Sequence, residues 1–243
     1  MYFTTSVLLA ALVSIAQAQT PKGFTPSVNT KLNVMFNTTS VATPGELLPK
    51  AATSSQPQLG LSSAQVSSAN TFMFVMMDLD VPPQGTNTTR RTLLHAMVTD
   101  FKPTQQKLSN NTVLLASTQK GPAAYIAPGP PATDPVAHRY VQLLFQQPAT
   151  LKVQASDFSD TSKRIGFDIN AFMKTQGLSA PLAANFFTVD GKASGSASGT
   201  ATGTATGTGG IAKNTLQPFT GGASRVEMTW LAGLVGGLAF MAA

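Results

Sequence analysis

The chain has only two histidines, and both lie where they could do chemistry. His95 and His138 are each predicted on an apolar strand beside a loop rich in proline or glycine. Asp78 and Asp80 follow a third apolar run, and extended backbone would place both carboxylates on one face. Imidazole titrates near neutral pH, so acid–base or metal chemistry would use these histidines or carboxylates. Singly, each residue could be a buried structural group or a turn acceptor; together they favour a site at one end of a sheet.

The elements that must position these residues are mainly strands. Apolar runs at 71–77 and 93–101 predict two strands, and the segment 78–92 between them, with two prolines and a glycine, predicts a loop. Further strands are predicted at 32–37, 113–116, 140–145 and 182–189, and residues 59–68 could be loop or strand. One amphipathic helix is predicted over 168–177, where Ile169, Phe172 and Met173 share a face. The fold class is therefore β-rich, all-β or α+β.

Both ends of the chain are typical of processing signals. Residues 1–18 contain a short apolar run and a small-x-small site at Ala16–Ala18, which predicts a secretory signal peptide. Residues 193–222, rich in Ser, Thr, Gly and Ala, predict a disordered stalk. Residues 223–243 end in an apolar tail and predict a signal for a glycosylphosphatidylinositol (GPI) anchor, although a tail-anchored or amphipathic C-terminus is an alternative. The attachment candidates are Gly221, Gly222, Ala223 and Ser224.

The remaining residues, 19–192, are predicted to form one domain. The chain has no cysteine, so this domain must be stable without disulfides. Sequons at Asn37, Asn87 and Asn110 are candidate glycosylation sites. The net charge of +6 comes from scattered basic residues, which argues against a nucleic-acid partner.

Two blocks carry a family resemblance. The segments "MMDLDVPP…LLHAMVTDF" and "YIAPGPPATDPVAHRYVQLLFQQP" closely resemble the signature blocks of the phosphatidylethanolamine-binding proteins, and the later "FDINAFMKTQGLSAPLAANFFTV" is similar to that family's C-terminal block. The resemblance covers about residues 32–189. It implies a large antiparallel sheet packed on a smaller one, with a few peripheral helices. It also implies a small anion pocket that takes a phospholipid head group or a similar phosphate-bearing ligand.

The resemblance carries over to named positions. Asp78 and Asp80 lie in the family's first loop motif and His95 on its strand, while the facing wall of the pocket corresponds to Gly129, Pro130, Pro131, His138 and Tyr140. Two positions depart from the family. Leu79 replaces a usual proline, which could loosen the loop that carries Asp78. Ala96 stands where many members have a bulky aromatic, which could enlarge the pocket.

Elementary chemistry agrees with this assignment. Imidazole N–H groups and backbone amides near a glycine can donate to an anion. Gly129 permits close backbone approach, and the prolines beside it favour a preformed pocket. An aspartate beside a histidine should raise the pKa of that histidine, which predicts tighter anion binding at mildly acidic pH.

The functional hypothesis is a cell-surface, GPI-anchored protein that binds a phospholipid head group or another small anion, without cofactor, metal or catalysis. One alternative is an inhibitor of a secreted serine carboxypeptidase or other protease, or another protein-interaction module, as some relatives are. A metal-dependent hydrolase using His95, His138 and an aspartate is a further alternative. The motifs of zinc proteases, serine hydrolases and phosphate-binding loops are absent from the sequence.

Overall fold

A computed structural model describes residues 17–109 and 111–192 of the chain. The predicted stalk, the predicted anchor signal, residues 1–16 of the predicted signal peptide and the sequon residue Asn110 lie outside the described residues. Within the described part, no helix is both long and apolar enough to cross a membrane.

Strands dominate the described residues, as the sequence predicts. They are β1 (Asn33–Phe36), β2 (Thr39–Ser40), β3 (Glu46–Leu47), β4 (Gln58–Ser62), β5 (Phe72–Val81), β6 (Arg91–Ser109), β7 (Thr112–Ala116), β8 (Pro122–Ala123), β9 (His138–Gln146) and β10 (Ala183–Val189). Short 3-10 helices occur at Lys50–Thr53, Ser63–Gln65, Ala155–Phe158 and Thr161–Lys163, and one α-helix, α1, spans Ile169–Gln176.

The long strand β6 belongs to two sheets. Its first half pairs antiparallel with β5, and its second half pairs with β7 from Lys102 onward. The change of partner follows Asp100, which has a positive φ of 60°. The strand order is β2-β1-β4-β7-β6-β5-β9-β10-β3, with β8 paired beside β6. A larger sheet around β5, β9 and β10 therefore curls through β6 into a smaller sheet of β1, β2, β4 and β7.

Both faces of the larger sheet are buried, which explains why β5 has the continuous apolar sequence "FMFVMM". Phe72, Phe74 and Met76 pack into the core between the two sheets. The alternate residues Met73, Val75 and Met77 pack into a second core, which α1 covers through Ile169, with other apolar residues on that side. The predicted large sheet packed on a smaller sheet is thus confirmed.

Helix α1 begins and ends where its sequence predicts. The Asp168 side chain accepts hydrogen bonds from the backbone amides of Asn170 and Ala171, and Gly177 ends the helix in the left-handed conformation with φ 63°. A capping carboxylate and a glycine just past the last turn are common ends of a helix.

The predicted strands are confirmed, but several boundaries differ from prediction; the strand predicted at 93–101, for example, is β6 and continues to Ser109. The loop predicted at 78–92 begins only after Val81, which still pairs with Arg91 of β6. The prolines and glycine therefore lie in a shorter connection, and Asp78, Leu79 and Asp80 lie within β5. Residues 58–62 form β4, and a 3-10 turn follows at Ser63–Gln65.

Candidate functional site

His138 opens strand β9 and lies between two carboxylates. Its Nδ1 lies 2.7 Å from Asp78 Oδ2, and its Nε2 lies 2.9 Å from Asp134 Oδ2. Ionised carboxylates only accept hydrogen bonds, so both ring nitrogens carry protons and the ring is an imidazolium. Burial alone would lower the pKa of His138, but the hydrogen bonds to Asp78 and Asp134 outweigh it and raise the pKa. Both nitrogens are occupied, so His138 is not the free donor that the sequence analysis expected.

Asp134 is the site residue that sequence reasoning missed. Its carboxylate also makes a bidentate ion pair with Arg90, at 2.7 and 2.9 Å. The Arg90 guanidinium and the His138 ring hold the pKa of Asp134 far below its usual range. Arg90 donates in addition to the backbone oxygen of Asp80. Asp134 therefore ties the loop before β9 to the connection between β5 and β6. The one signal in the sequence is its position four residues before His138.

His95 lies where β6 bulges. Met76 of β5 pairs with Ala96 and Met77 pairs with Leu94, which leaves His95 as the extra residue. A bulge of this kind turns a side chain from the regular alternation. The ring is buried with 3% of its surface exposed, and its Nδ1 lies 2.8 Å from the backbone oxygen of Ile126. Its other nitrogen, Nε2, lies 4.0 Å from Asp78 Oδ2.

Tyr140 completes the buried group. Its ring lies edge-on to His95, with 5.1 Å between centroids, and stacks on Phe187. Burial, with the Asp78 carboxylate adding to it, raises the pKa of Tyr140 well above its usual range, so the hydroxyl keeps its proton. The Asp78 carboxylate and the Gly129 amide lie close enough to affect this pKa, in opposite directions. Neither completes a hydrogen bond with the hydroxyl.

Two buried polar atoms at this site thus lack a hydrogen-bond partner among the described residues, His95 Nε2 and the Tyr140 hydroxyl. Gln19 and Gln142 supply the other such side-chain atoms. Buried polar groups are nearly always partnered in folded proteins. Two of them beside one carboxylate indicate a place for a polar ligand or water.

The loop at 127–137, which contains Gly129, is held in place by Lys50 and Gly191. Lys50 donates to the backbone oxygens of Pro130 and Gly191, at 2.8 and 3.0 Å. Gly191 packs so closely that a Cβ there would lie 1.9 Å from the Pro131 oxygen. At Gly129 a Cβ would meet only the Ala127 oxygen, at 3.9 Å. Protein packing therefore does not require a glycine at 129.

Three other positions from the sequence analysis lie apart from the unpartnered atoms. Asp80 accepts hydrogen bonds from the Arg139 backbone and guanidinium, each at 2.8 Å, and Arg139 holds the pKa of Asp80 below its usual range although burial alone would raise it. Leu79 lies between the aspartates in β5 and packs against the helix-side core. Ala96 is fully buried in the core between the sheets.

The described residues contain no group of three or more His, Cys, Asp or Glu side chains placed to hold a metal ion. His138 has no free nitrogen for a metal, since both nitrogens face carboxylates.

The fold and the site define a β-rich protein with a cluster of buried polar side chains at one end of its larger sheet, in which His95 Nε2 and the Tyr140 hydroxyl have no partner among the described residues. The family model described as phosphatidylethanolamine-binding protein matches residues 38–187. The chain therefore belongs to the phosphatidylethanolamine-binding protein family. The matched residues lie inside the predicted domain at 19–192.

Relatives occur in fungi and plants. The chain is 37% identical over 201 residues to the phomoidride biosynthesis cluster protein N of Talaromyces stipitatus, covering 75% of this chain and 96% of that protein. It is 32% identical over 164 residues to the protein BROTHER of FT and TFL 1 of Arabidopsis thaliana, covering 68% of this chain and 81% of that protein.

Solved structures give weaker similarities. A carboxypeptidase Y inhibitor, in complex with its cognate proteinase, is 23% identical with a TM-score of 0.49, covering 65% of this chain and 82% of the inhibitor. A phosphatidylethanolamine-binding protein from Plasmodium vivax is 13% identical with a TM-score of 0.40, covering 67% of this chain and 87% of that protein.

Proposed function

We propose that this protein is a non-catalytic binder of a small phosphate-bearing anion, such as a phospholipid head group, at the site formed by His95, Tyr140 and the Gly129 amide. The observation that carries this proposal is the pair of buried, unpartnered polar atoms on His95 and Tyr140. A bound anion would supply both missing partners. Family membership supports the same ligand class.

The surrounding groups would hold these ligand contacts in place. His138 fixes the Asp78 carboxylate, and Asp134 and Arg90 fix His138. A site whose side chains are held by a second layer of hydrogen bonds loses little entropy when a ligand binds. His138 is thus a positioning residue, while His95 and Tyr140 make the contacts.

We further propose that the chain enters the secretory pathway and is held at the cell surface by a GPI anchor. The support is the pattern of residues 1–18 and 223–243. The ligand would then be met outside the cytosol.

The test is calorimetric titration of inorganic phosphate into the purified protein and into Tyr140→Phe. A hydrogen bond to a charged group contributes about 1.5–3 kcal/mol, so the variant should bind about ten- to a hundredfold more weakly. Its stability should change little, because the hydroxyl completes no hydrogen bond within the part of the chain that the structure describes. Tyr125→Phe is the matched control. It loses a hydrogen bond to the Thr53 oxygen, so it should lose about 1 kcal/mol of stability and keep its phosphate affinity.

Equal phosphate affinity in the wild type and Tyr140→Phe would contradict the proposal. The protease-inhibitor alternative stays a prediction, and titration of a secreted serine carboxypeptidase with the purified protein would test it.

A further inference from the structure

The hydrogen bonds of His95 determine which ring nitrogen carries the proton. Nδ1 lies 2.8 Å from the Ile126 backbone oxygen, and a carbonyl oxygen can only accept. Nδ1 is therefore the donor in every protonation state. In the neutral ring, Nε2 then has a bare lone pair and faces the site as an acceptor.

The groups that face His95 differ in sign. Asp78 of β5 is negative, and its Oδ2 lies 4.0 Å from Nε2. His138 of β9 and Arg164 of the segment after the last 3-10 helix are positive, and Tyr140 of β9 is neutral. Arg164 is directed to backbone oxygens of Phe158 and Ala124. Burial, the largest effect, lowers the pKa of His95 below its ordinary value despite Asp78 and Ile126, so the ring is neutral at neutral pH.

The site therefore presents two acceptors, His95 Nε2 and Asp78 Oδ2, beside the Tyr140 hydroxyl and the Gly129 amide. A fully ionised anion has only lone pairs to offer. The oxygens of such an anion would face His95 Nε2 and Asp78 Oδ2, and no hydrogen bond can form because all of these atoms are acceptors. A buried polar group left without a partner costs about 1–3 kcal/mol.

We propose that this site takes a phosphate that brings its own proton, either hydrogen phosphate or a phosphate monoester, in preference to a phosphodiester or sulfate. This inference rests on the proposed function and narrows its ligand class. The P–OH group donates to His95 Nε2, while the Tyr140 hydroxyl and the Gly129 amide donate to the other phosphate oxygens. No bond is made or broken, and the proton stays between ligand and ring.

The affinity of each ligand should depend on pH in its own way, because either the ligand or His95 must supply the shared proton. A phosphate monoester has a second pKa of about 6, so its monoanion can enter with the proton in place. A phosphodiester has no such proton, so it needs His95 itself to be protonated. That occurs only below the ordinary histidine pKa of about 6.5, because the pKa of His95 is lowered.

The decisive experiment compares phosphate with sulfate by calorimetry on the wild-type protein. At about pH 8, above the histidine range, both ions are tetrahedral dianions, and only phosphate still carries a proton. We expect phosphate to bind at least about tenfold more tightly there, which corresponds to about 1.4 kcal/mol. At a second, acidic pH below the lowered pKa of His95 the preference should shrink, because the protonated ring can then donate to sulfate.

Further ligands distinguish a free phosphate from a lipid. Glycerol 3-phosphate and phosphatidylcholine vesicles that contain phosphatidic acid offer a monoester. Glycerophosphoethanolamine and vesicles that contain phosphatidylethanolamine offer a diester. At about pH 6, near the second pKa of a monoester, we expect monoesters to be preferred over diesters. Tight binding to phosphatidic acid vesicles with weak binding to glycerol 3-phosphate would assign the ligand to a membrane, and the reverse would assign it to a free metabolite.

A variant tests the role of His95 directly. In His95→Gln the side-chain amide can turn its NH₂ towards sulfate, so the phosphate-to-sulfate ratio should approach one at both pH values. If this variant does not fold, the wild-type ratio and its pH dependence still decide. Equal affinities for phosphate and sulfate in the wild type at about pH 8 would overturn the inference and leave the proposed function intact. If neither ion binds at either pH, the proposed function fails as well.

Discussion

At the residue scale, the two histidines have opposite environments although their rings lie in one buried cluster. His138 donates to two carboxylates and its pKa is raised. His95 donates to one backbone oxygen, and burial lowers its pKa. One ring is a fixed cation that positions Asp78, and the other is neutral with a free nitrogen. The same residue type therefore performs two tasks, as its neighbours dictate.

Asp134→Asn should lower the pKa of His138, because it removes one of the two carboxylates that raise it. A raised histidine pKa contributes stability that is complete below the unfolded-state pKa of about 6.5 and is lost as pH rises through the folded-state pKa. The variant should therefore lose more stability at about pH 5.5 than at about pH 9. Chemical denaturation across this range and NMR titration of the imidazole measure both effects.

Asp157→Asn is the control for that experiment, because Asp157 is exposed and interacts locally with the Gln154 backbone. It should leave the pKa of His138 unchanged. A pKa of His138 that is the same in Asp134→Asn and the wild type would show that Asp134 does not hold the ring.

The sequence predicted which residues form the site better than it predicted the hydrogen bonds between them. Asp78, His95 and Tyr140 could be assigned because they lie in ungapped motif blocks. The Asp134–Arg90 pair joins residues 44 positions apart, and no spacing rule gives that contact. The roles of the two histidines also depended on which oxygen lies beside each nitrogen, and that is set by the β6 bulge and by the Ile126 backbone.

At the scale of elements, the loop at 127–137 is positioned by contacts with residues that are distant from it in the sequence. Lys50 and Gly191 meet Pro130 and Pro131 from outside the pocket. The strands below are held by pairing, so Asp78 of β5 lies directly across from Tyr140 of β9. The proposed site lies where the end of the larger sheet meets a loop that Lys50 and Gly191 hold in place.

Gly191→Ala should destabilise the domain and displace the loop. The added Cβ would lie 1.9 Å from the Pro131 backbone oxygen, and the loop must move to accept it. We expect a loss of about 1–3 kcal/mol and a weaker affinity for phosphate, measured by denaturation and calorimetry.

Gly129→Ala is the matched control for stability. Its Cβ would meet only an ordinary contact at 3.9 Å, so the change in stability should stay within about 0.5 kcal/mol. If Gly191→Ala is as stable as the wild type, the close packing against Pro131 is not a constraint on the loop.

The strands and α1 were predictable because their apolar spacing and caps are local. The boundaries were less so: Asp78–Val81 reads as the start of a loop, but pairing with β6 and β9 keeps it in the sheet. The division of β6 between two sheets also depends on pairing with β7, which no local pattern contains.

At the scale of the whole molecule, we propose a binding domain that a lipid anchor attaches to the cell surface. The family match at 38–187 covers most of the predicted domain at 19–192, and the predicted signals at 1–18 and 223–243 lie beyond it. Anchored in this way, the proposed site would meet small anions or head groups outside the cytosol.

The anchor is tested by expressing the full chain in a yeast host. We expect it in the membrane or wall fraction, with release from membranes by phosphatidylinositol-specific phospholipase C. A chain that ends at residue 222 lacks the predicted signal and should appear in the medium. Full-length protein that appears freely in the medium would contradict the anchor.

The central claim is that a phosphate-bearing anion contacts His95 and not His138, and NMR of the imidazole nitrogens tests it most directly. The chain has two histidines, so histidine labelled with ¹⁵N gives two sets of ring signals. On titration with inorganic phosphate, we predict that the Nε2 signal of His95 moves saturably while both nitrogens of His138 stay nearly unchanged. Movement of the His138 signals with an unmoved His95, or no movement of either, would contradict the claim.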